Sequence, residues 1–257
     1  MIKFNFNLFF FNVLLWGGVI LLCDSCKPAH DRSCLKKTGS LDSLEIELVP
    51  FEKLNLGEHI TYLLVQDTVD KVVVSGGANL LNFIDVSAES STSILTIRNN
   101  NRCRFLRYNT SNVLVKIHFN QLNEIVFNGS ESLSNRGLLE MDNLRIVTLG
   151  AAGSISLNME ANEIQCINDF GWPDITISGK CDIFRAEIYG HQLMDTRQLI
   201  VTSHVNVISN AGTKSQINSQ GVPLRVELRG TGDLWYYGEP TSIDKKEYNS
   251  GRLINKN

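Results

Sequence analysis

The sequence has few prolines, 5 in 257 residues, and it lacks any block of basic side chains. Its 24 Lys and Arg against 27 Asp and Glu give a formal net charge of −3, which excludes the electrostatic footprint of a nucleic-acid-binding protein. A hydrophobic content of 43% excludes a disordered chain and supplies material for one large or two small domains. Abundant Gly, Asn and Ser with scarce Pro are typical of a turn-rich β protein.

Catalytic signatures are also missing. The chain has no GxSxG, no HExxH, no Walker loop and no GxGxxG that opens a helix. Its five histidines are isolated in sequence. We therefore predict no catalytic residue, no metal site and no cofactor.

An apolar run from Leu8 to Leu22 follows a single charged residue, Lys3. Fifteen helical residues reach about 22 Å, which is short of the about 30 Å of a bilayer core. No basic stop-transfer cluster follows the run. We predict that residues 1–22 are a signal peptide, with an uncleaved N-terminal anchor as the alternative.

Two cysteines next to this run each resemble the lipid acceptor of a bacterial lipoprotein. Cys23 directly borders the apolar residues, whereas Cys26 is preceded by the small residue Ser25. We favour Cys23, with Cys26 as the alternative. We predict that the polar residues 23–37 are a tether. A multi-chain lipid anchor would hold the protein at a membrane surface.

Four further cysteines belong to the exported body of the chain: Cys34, Cys103, Cys166 and Cys181. They fit an oxidising compartment and allow three disulfide pairings. Their spacing contains no CxxC and no nearby histidine, which disfavours a zinc site. The favoured disulfide joins Cys34 to Cys103 and would fasten the tether to the body. We predict that Cys166 is a buried free thiol and that Cys181 lies in a turn.

After residue 34, short runs of alternating apolar residues predict β-strands rather than helices. From residue 120 onward, a strand that ends in glycine recurs about every 20 residues. These rung glycines are Gly129, Gly150, Gly171, Gly190, Gly212 and Gly230. The period predicts a β-solenoid, in which each rung buries its apolar face against the next. A fixed glycine suits a corner with positive φ, and Asn and Ser at such corners can form hydrogen-bonded ladders. An evenly spaced β-sandwich is the alternative.

Two candidate binding residues follow consecutive rung glycines. Trp172 comes after Gly171 and His191 comes after Gly190, so neighbouring rungs would place them side by side. An exposed Trp beside a polar ring can stack on a sugar. The alternative is a large side chain that merely fills a corner. For Trp235 and the two tyrosines after it, we predict an aromatic plug over the end of the solenoid.

Polysaccharide-active β-helix enzymes need positioned acid and base groups. The nearest candidates are Asp169, Asp174, Glu187 and Asp195. They occupy different positions relative to the rung glycine, so they need not converge.

Several local patterns, in this order and spacing, carry a family resemblance. They lie at residues 34–39, 51–67, 72–81, 95–103, 230–240 and 250–254. Together they resemble the head GIN domain family of Bacteroidota cell-envelope proteins, over roughly residues 34–255. The resemblance implies an all-β, right-handed parallel β-helix-like solenoid over residues 38–255, with irregular N-terminal strands. It also implies an exported chain or lipoprotein, to which the label adhesin is usually attached.

The sequence thus predicts an exported, non-catalytic lipoprotein of the bacterial cell envelope, held at the outer membrane by its lipid. The predicted role of its solenoid is adhesive or structural. The expected partners are the membrane and a surface glycan or an envelope protein, but no nucleic acid. A glycan-binding or polysaccharide-active β-helix protein is the alternative.

Overall fold

The computed structural model describes residues 37–101 and 113–257. These residues form an all-β solenoid of about seven turns with rungs about 20 residues apart, as the glycine period predicted. The predicted signal peptide, both lipid-acceptor candidates and the Cys34–Cys103 disulfide lie outside the described residues.

The strands fall into an N-terminal group and a repeating group. The N-terminal group comprises β1 (Leu41–Glu47), β2 (Lys53–Leu56), β3 (Thr61–Gln66), β4 (Lys71–Gly77), the helical turn α1 (Ala78–Leu81), β5 (Ile84–Glu89), β6 (Ile94–Asn99) and β7 (Leu114–Phe119). The repeating group comprises β8 (Glu124–Phe127), β9 (Ser132–Arg136), β10 (Leu139–Ala151), β11 (Ser154–Gly171), β12 (Asp174–Gly190), β13 (Leu193–Thr196), β14 (Leu199–Ala211), β15 (Ser215–Asn218), β16 (Leu224–Leu228), β17 (Leu234–Tyr237), β18 (Ile243–Glu247) and β19 (Leu253–Asn255).

Parallel pairing between successive rungs builds the walls of the solenoid. The first wall contains β6, β2, β8, β10, β11, β12, β14, β16 and β18. The second wall contains β7, β3, β9, β11, β12, β13, β15, β17 and β19. A narrow third wall comes from residues 139–141, 159–161, 179–181 and 199–201. The long strands β11 and β12 bend through all three walls.

The N-terminal strands depart from this regular stacking. β4 pairs antiparallel with both β1 and β7, and β5 pairs antiparallel with β6. β2 lies between β6 and β8, although it precedes both in the chain. The predicted irregular N-terminal strands are therefore confirmed.

Inward-facing positions form continuous buried columns along the stack. One column in the first wall contains Leu95, Leu54, Ile125, Ile146, Cys166, Ala186, Val207 and Val226, all buried. Because side chains alternate between the two faces of a strand, the intervening residues point outward. The buried thiol predicted for Cys166 is confirmed. The turn predicted for Cys181 is wrong, because this residue is buried within β12, in register with Ala161 and Val201.

The prediction that the rung glycines adopt positive φ is half right. Three adopt it and three do not: Gly150, Gly171 and Gly190 against Gly129, Gly212 and Gly230. At Gly171, φ is +119° and an added Cβ would lie 2.4 Å from the Ala151 carbonyl oxygen of the preceding rung. At Gly230, φ is ordinary but the Cβ would lie 2.2 Å from the Ala211 carbonyl oxygen. Close approach of adjacent rungs is thus a second reason for glycine at this corner.

An asparagine ladder ties three rungs together where the second wall ends. The Asn135 side-chain amide donates to the Asn158 carbonyl at 3.0 Å, and the Asn158 backbone N–H donates back to Asn135 Oδ1 at 2.9 Å. One rung further, Ser178 Oγ lies 3.3 Å from Asn158 Oδ1. This ladder lies at a different corner from the rung glycines, where the ladders were predicted.

The predicted aromatic plug at the end of the solenoid is wrong. Trp235 lies in β17 and faces outward from the second wall, and β18 and β19 add a further rung beyond it. Tyr236 instead packs against the core. The misplacement arose because strand alternation, rather than chain position, decides which of these rings faces inward.

Two alanine substitutions at equivalent corners test whether glycine is required there by its close backbone contacts or is only a recurring residue. We expect Gly171→Ala to lower the free energy of unfolding by about 2 kcal/mol or more, because the new Cβ combines an unfavourable φ with a backbone clash. Gly212→Ala is the control, since its Cβ would make only ordinary contacts, the nearest at 3.6 Å. Urea unfolding of both variants measures the difference, and equal destabilisation would contradict this account.

Candidate functional site

The carboxylates proposed for sugar hydrolysis do not meet at one place. Asp169 is exposed near the end of β11, Asp174 opens β12 on the second wall, and Glu187 faces outward from the first wall. Asp195 is held by Arg197, whose Nη2 lies 2.7 Å from its Oδ2. These hydrogen bonds hold the pKa of Asp195 below its usual range, which makes it a poor proton donor. Asp174 and Asp195 face outward on adjacent rungs of the second wall, where Asp174 pairs with Leu193 and Thr176 pairs with Asp195, whereas Glu187 lies on the first wall.

A cluster of His59, Ser130 and Glu131 links two turns and is not arranged as a nucleophilic site. His59 Nδ1 lies 3.3 Å from both Ser130 Oγ and Glu131 Oε1, and Glu58 approaches the opposite ring nitrogen at 3.3 Å. Ser130, however, donates its proton to Glu131 Oε2 at 2.6 Å. A serine that donates to a carboxylate is not activated by the imidazole. The cluster joins the turn before β3 to the turn before β9.

The two cysteines among the described residues offer no reactive thiol. Cys166 and Cys181 are both buried, and burial raises the pKa of each to about 12. A thiol with such a pKa stays protonated at neutral pH, and the thiolate is the nucleophilic form. Within residues 37–101 and 113–257, no three His, Cys, Asp or Glu side chains gather as a metal site.

Large apolar side chains instead collect on the outside of the corner between the first and second walls. Phe170 is 61% exposed, Trp172 68%, Leu193 44% and Leu149 39%, and Tyr189 is half-buried beside them. We call these five residues the aromatic corner. They come from three consecutive rungs, so they cover a strip that runs along the solenoid axis.

A β-bulge turns Phe170 outward. Thr148 pairs with Asn168, but the next pair joins Leu149 to Phe170, so Asp169 is an extra residue in β11. Strict alternation after the buried Asn168 would point Phe170 into the core. The extra residue shifts the alternation by one and gives Phe170 the outward position of Leu149.

The rung before provides space for the Phe170 ring. An added Cβ at Gly150 would lie only 3.0 Å from Phe170 Cε2, so the ring lies close over this glycine. Trp172 follows Gly171, and its backbone N–H donates to the Ala151 carbonyl at 2.9 Å. Both rings are therefore carried on backbone that the preceding rung holds in place.

Buried polar side chains support the corner from inside. Thr148 Oγ1 donates to Asn168 Oδ1 at 2.7 Å, and Asn168 Nδ2 donates to the Tyr189 carbonyl at 2.6 Å. Thr148 and Asn168 are 0% and 1% exposed, so water does not compete for these hydrogen bonds. Asn168 thereby joins the rung of Phe170 to the rung of Tyr189.

The two binding residues suggested by the sequence lie in adjacent rungs. A Cβ at Gly190 would lie 3.2 Å from the Gly171 carbonyl oxygen, so Trp172 and His191 follow neighbouring glycines. Both side chains are exposed. Their role in ligand binding stays a prediction.

Sequence reasoning missed the other members of this surface. Phe170 was hidden because a single bulge reversed its side of the strand. Leu149, Tyr189 and Leu193 occur in ordinary strand patterns, and nothing local marks them as neighbours. The recurring glycines were the one available signal, because they fix which residues of successive rungs stack.

Comparisons with known proteins agree with this architecture. The family model described as "Putative auto-transporter adhesin, head GIN domain" matches residues 50–240. No curated protein matches the chain. A "putative adhesin" of Bacteroides fragilis NCTC 9343 superposes with a TM-score of 0.71 at 18% identity, covering 84% of this chain and 97% of that one.

Two solved structures from Parabacteroides distasonis ATCC 8503 share the fold at lower similarity. A "putative adhesin" gives a TM-score of 0.57 at 16% identity, covering 85% of this chain and 98% of that chain. A "putative lipid binding protein" gives 0.58 at 14% identity, covering 84% and 97%. Within the described residues, no helix has the length and hydrophobicity to cross a bilayer.

Removing the buried amide beneath the corner tests its structural role. We expect Asn168→Ala to lower the free energy of unfolding by about 1–3 kcal/mol, because the Thr148 hydroxyl and the Tyr189 carbonyl lose their partner inside the core. Asn206→Ala, at a half-buried position on the outer face of the first wall, is the matched control. Denaturant titration compares the two, and a loss no larger than that of the control would show that the amide contributes nothing.

Proposed function

Because the chain belongs to the head GIN domain family, we propose that it is an exported, non-catalytic, lipid-anchored adhesin that binds a surface glycan through the aromatic corner. The observation that carries the proposal is the exposure of Phe170 and Trp172 on neighbouring positions of one rigid corner. Adhesion requires a binding surface and a scaffold to present it, but no reacting group.

The exposure of these rings has a free-energy cost that favours a partner. Apolar surface in water costs about 25 cal/mol per Å², so two large exposed rings on one corner are unfavourable unless something covers them. Clustered apolar exposure on a folded chain marks an interaction site, whereas single exposed apolar residues are ordinary. Phe170, Trp172 and Leu193 form such a cluster.

The size and the surroundings of the corner favour a sugar over a protein. A stable protein interface buries about 800 Å² on each partner, with about 20–30 residues a side. The corner has five residues and is bordered by the exposed polar side chains of Asp169, Asp174 and His191. A sugar ring has an apolar face for stacking and hydroxyl groups that such polar neighbours can bind. A sugar ring is also small enough to lie on the narrow strip that the aromatic corner forms.

The rungs beneath the corner reduce the cost of binding. Backbone hydrogen bonds, Gly171 and the buried Asn168 fix the chain on both sides of the rings. A binding surface that is already ordered loses less conformational entropy when a ligand arrives. This favours useful affinity from a small contact.

The proposed lipid anchor fits the direction of the stack. Residues 23–37 precede β1 in the sequence, and β1 lies at the N-terminal end of the solenoid. Successive rungs continue away from that end, each rung adding about 4.8 Å. An anchor at Cys23 would therefore leave the aromatic corner displaced from the membrane along the solenoid axis.

A glycan array with the purified protein tests the binding surface. We expect Phe170→Ala and Trp172→Ala each to weaken binding of a recognised glycan by about tenfold, because each removes a ring that the ligand would cover. Calorimetric titration of that glycan gives the affinities. Ile200→Ala is the control, since it truncates a 59% exposed side chain on the third wall.

Unchanged binding by both aromatic variants would contradict the assignment of the corner. Absence of binding to every glycan would contradict the proposed ligand class. Phospholipid vesicles belong in the same experiment, since one structural neighbour is described as a "putative lipid binding protein". Vesicle binding that is lost in Trp172→Ala would assign the corner to a lipid surface instead.

Metabolic labelling with palmitate tests the anchor in the full chain. We expect Cys23→Ala to remove the label and Cys26→Ala to retain it, because only the acceptor thiol forms the thioether with the lipid. The converse result would identify Cys26 as the acceptor. Label that survives both single substitutions, or an unlabelled wild type, would contradict both assignments.

A further inference from the structure

Another outward-facing aromatic residue, Trp235, is held between two lysines. The Lys214 Nζ lies 3.9 Å from the centroid of the Trp235 ring, and the Lys256 Nζ lies 4.2 Å from it. Trp235 pairs with Gln216 in the rung before and with Ile254 in the rung after. Lys214 belongs to the former rung and Lys256 to the latter, so they approach opposite faces of the indole. We call these three residues the lysine–tryptophan stack.

Contacts with the two faces of the Trp235 indole hold the ring, whereas its N–H group makes no hydrogen bond among the described residues. Trp235 Nε1 is buried and has no hydrogen-bond partner among the described residues. The cation–π contacts therefore position the indole, and the indole in turn fixes the two flexible lysine side chains. Two ammonium groups held in fixed positions lose less entropy when they bind an anion than two free lysines would.

Neither Lys214 nor Lys256 forms a salt bridge in the part of the chain that the structure describes, whereas the adjacent Arg197 is paired with Asp195. The charge of Lys214 contributes to the lowered pKa of Asp195, but that carboxylate is already held by Arg197. The two ammonium groups repel each other across the ring. An anionic group bound at each ammonium would offset that repulsion.

The charge of the chain is segregated along the solenoid. Residues 197–257 contain eight Lys and Arg and five Asp and Glu, whereas residues 37–196 contain twelve and twenty. Because rungs stack in chain order, this difference in sequence becomes a difference in space. The C-terminal rungs are a basic end on an acidic protein, which attracts anionic partners.

The lysine–tryptophan stack continues the line of the aromatic corner. Asp195 pairs with Gln216, so the same register places Lys214 one rung beyond Leu193 on the second wall. Lys256 lies two rungs further on. A linear ligand that follows the solenoid axis from Leu193 would meet the two ammonium groups next.

We propose that the lysine–tryptophan stack is an anion-binding site for carboxylate or sulfate groups of an acidic polysaccharide, one group at each ammonium. The ligand class rests on the proposed glycan-binding function, whereas the charge requirement rests on the stack alone. The surroundings suit a hydroxyl-rich polymer: Gln216 and Tyr237 lie beside Trp235, and the Tyr237 hydroxyl donates to Gln216 Oε1 at 3.0 Å. These groups can exchange hydrogen bonds with sugar hydroxyls.

Dextran, carboxymethyl dextran and dextran sulfate share a backbone and differ in charge, so they isolate the anionic requirement. We expect the exported full-length protein to bind the two charged polymers and not neutral dextran. Lys214→Gln/Lys256→Gln should weaken that binding by about tenfold or more, since it removes both charged donors. Calorimetry at low and physiological salt measures the affinities, and binding should weaken as salt rises.

Lys245→Gln/Lys246→Gln is the matched control, because it removes the same charge from β18 on the first wall. We expect it to bind the charged polymers nearly as the wild type does. Thermal unfolding of both double variants checks that each remains folded. An equal loss of binding in the two would reveal attraction to net charge alone and would overturn the site.

Two further results would overturn the proposal. One is the absence of binding to either charged dextran at an affinity of about 1 mM or tighter. The other is tighter binding of polyglutamate, which would assign the stack to an acidic protein. Trp172→Ala in the same titrations separates the two surfaces. Loss only in the lysine variant supports the stack without the corner, and loss only in Trp172→Ala supports the corner without the stack.

Discussion

The structure depends on one constraint: an inward-facing side chain is buried only when the neighbouring rungs place a side chain at the same inward position, and that side chain is apolar along most of the stack. A single rung has no core of its own. The column from Leu95 through Ile146 to Val226 satisfies the constraint across nearly the whole stack. Register and burial are therefore linked, since a slip of one residue would expose the apolar set. The same register therefore also fixes which residues of successive rungs lie at the same corner.

The candidate binding surface is a local exception that the regular stack can support. At the corner, Asp169 interrupts the alternation and Asn168 brings a polar group into the core. Hydrogen bonds to Thr148 and to the Tyr189 carbonyl compensate for that burial. The outcome is an aromatic residue, Phe170, on the outside of a strand whose pattern directs it inward. Exceptions of this kind in an otherwise consistent sequence are expected at functional positions.

Much of the fold followed from patterns that are local in the chain. The rung glycines gave the period, and alternating apolar residues gave the strands and the buried Cys166. The placement of Trp172 and His191 in adjacent rungs also followed, because each comes directly after a rung glycine. The outward position of Phe170 could not be predicted, since the extra residue Asp169 shifts Phe170 to the other face of the strand and leaves no local signal in the sequence. The lysine–tryptophan stack did not follow either, because its three members are about 20 residues apart and meet only through rung register.

The sequence by itself determined the all-β class and the length of the repeat, because both follow from composition and short-range spacing. The tertiary structure alone decided which side chains of different rungs share a surface. It placed Trp235 on an outer wall between two lysines rather than at the end of the solenoid. It also turned Phe170 outward beside Trp172. The physical reason is that side-chain direction in a strand reverses with every residue, so one bulge or one shift in register changes which face a residue joins.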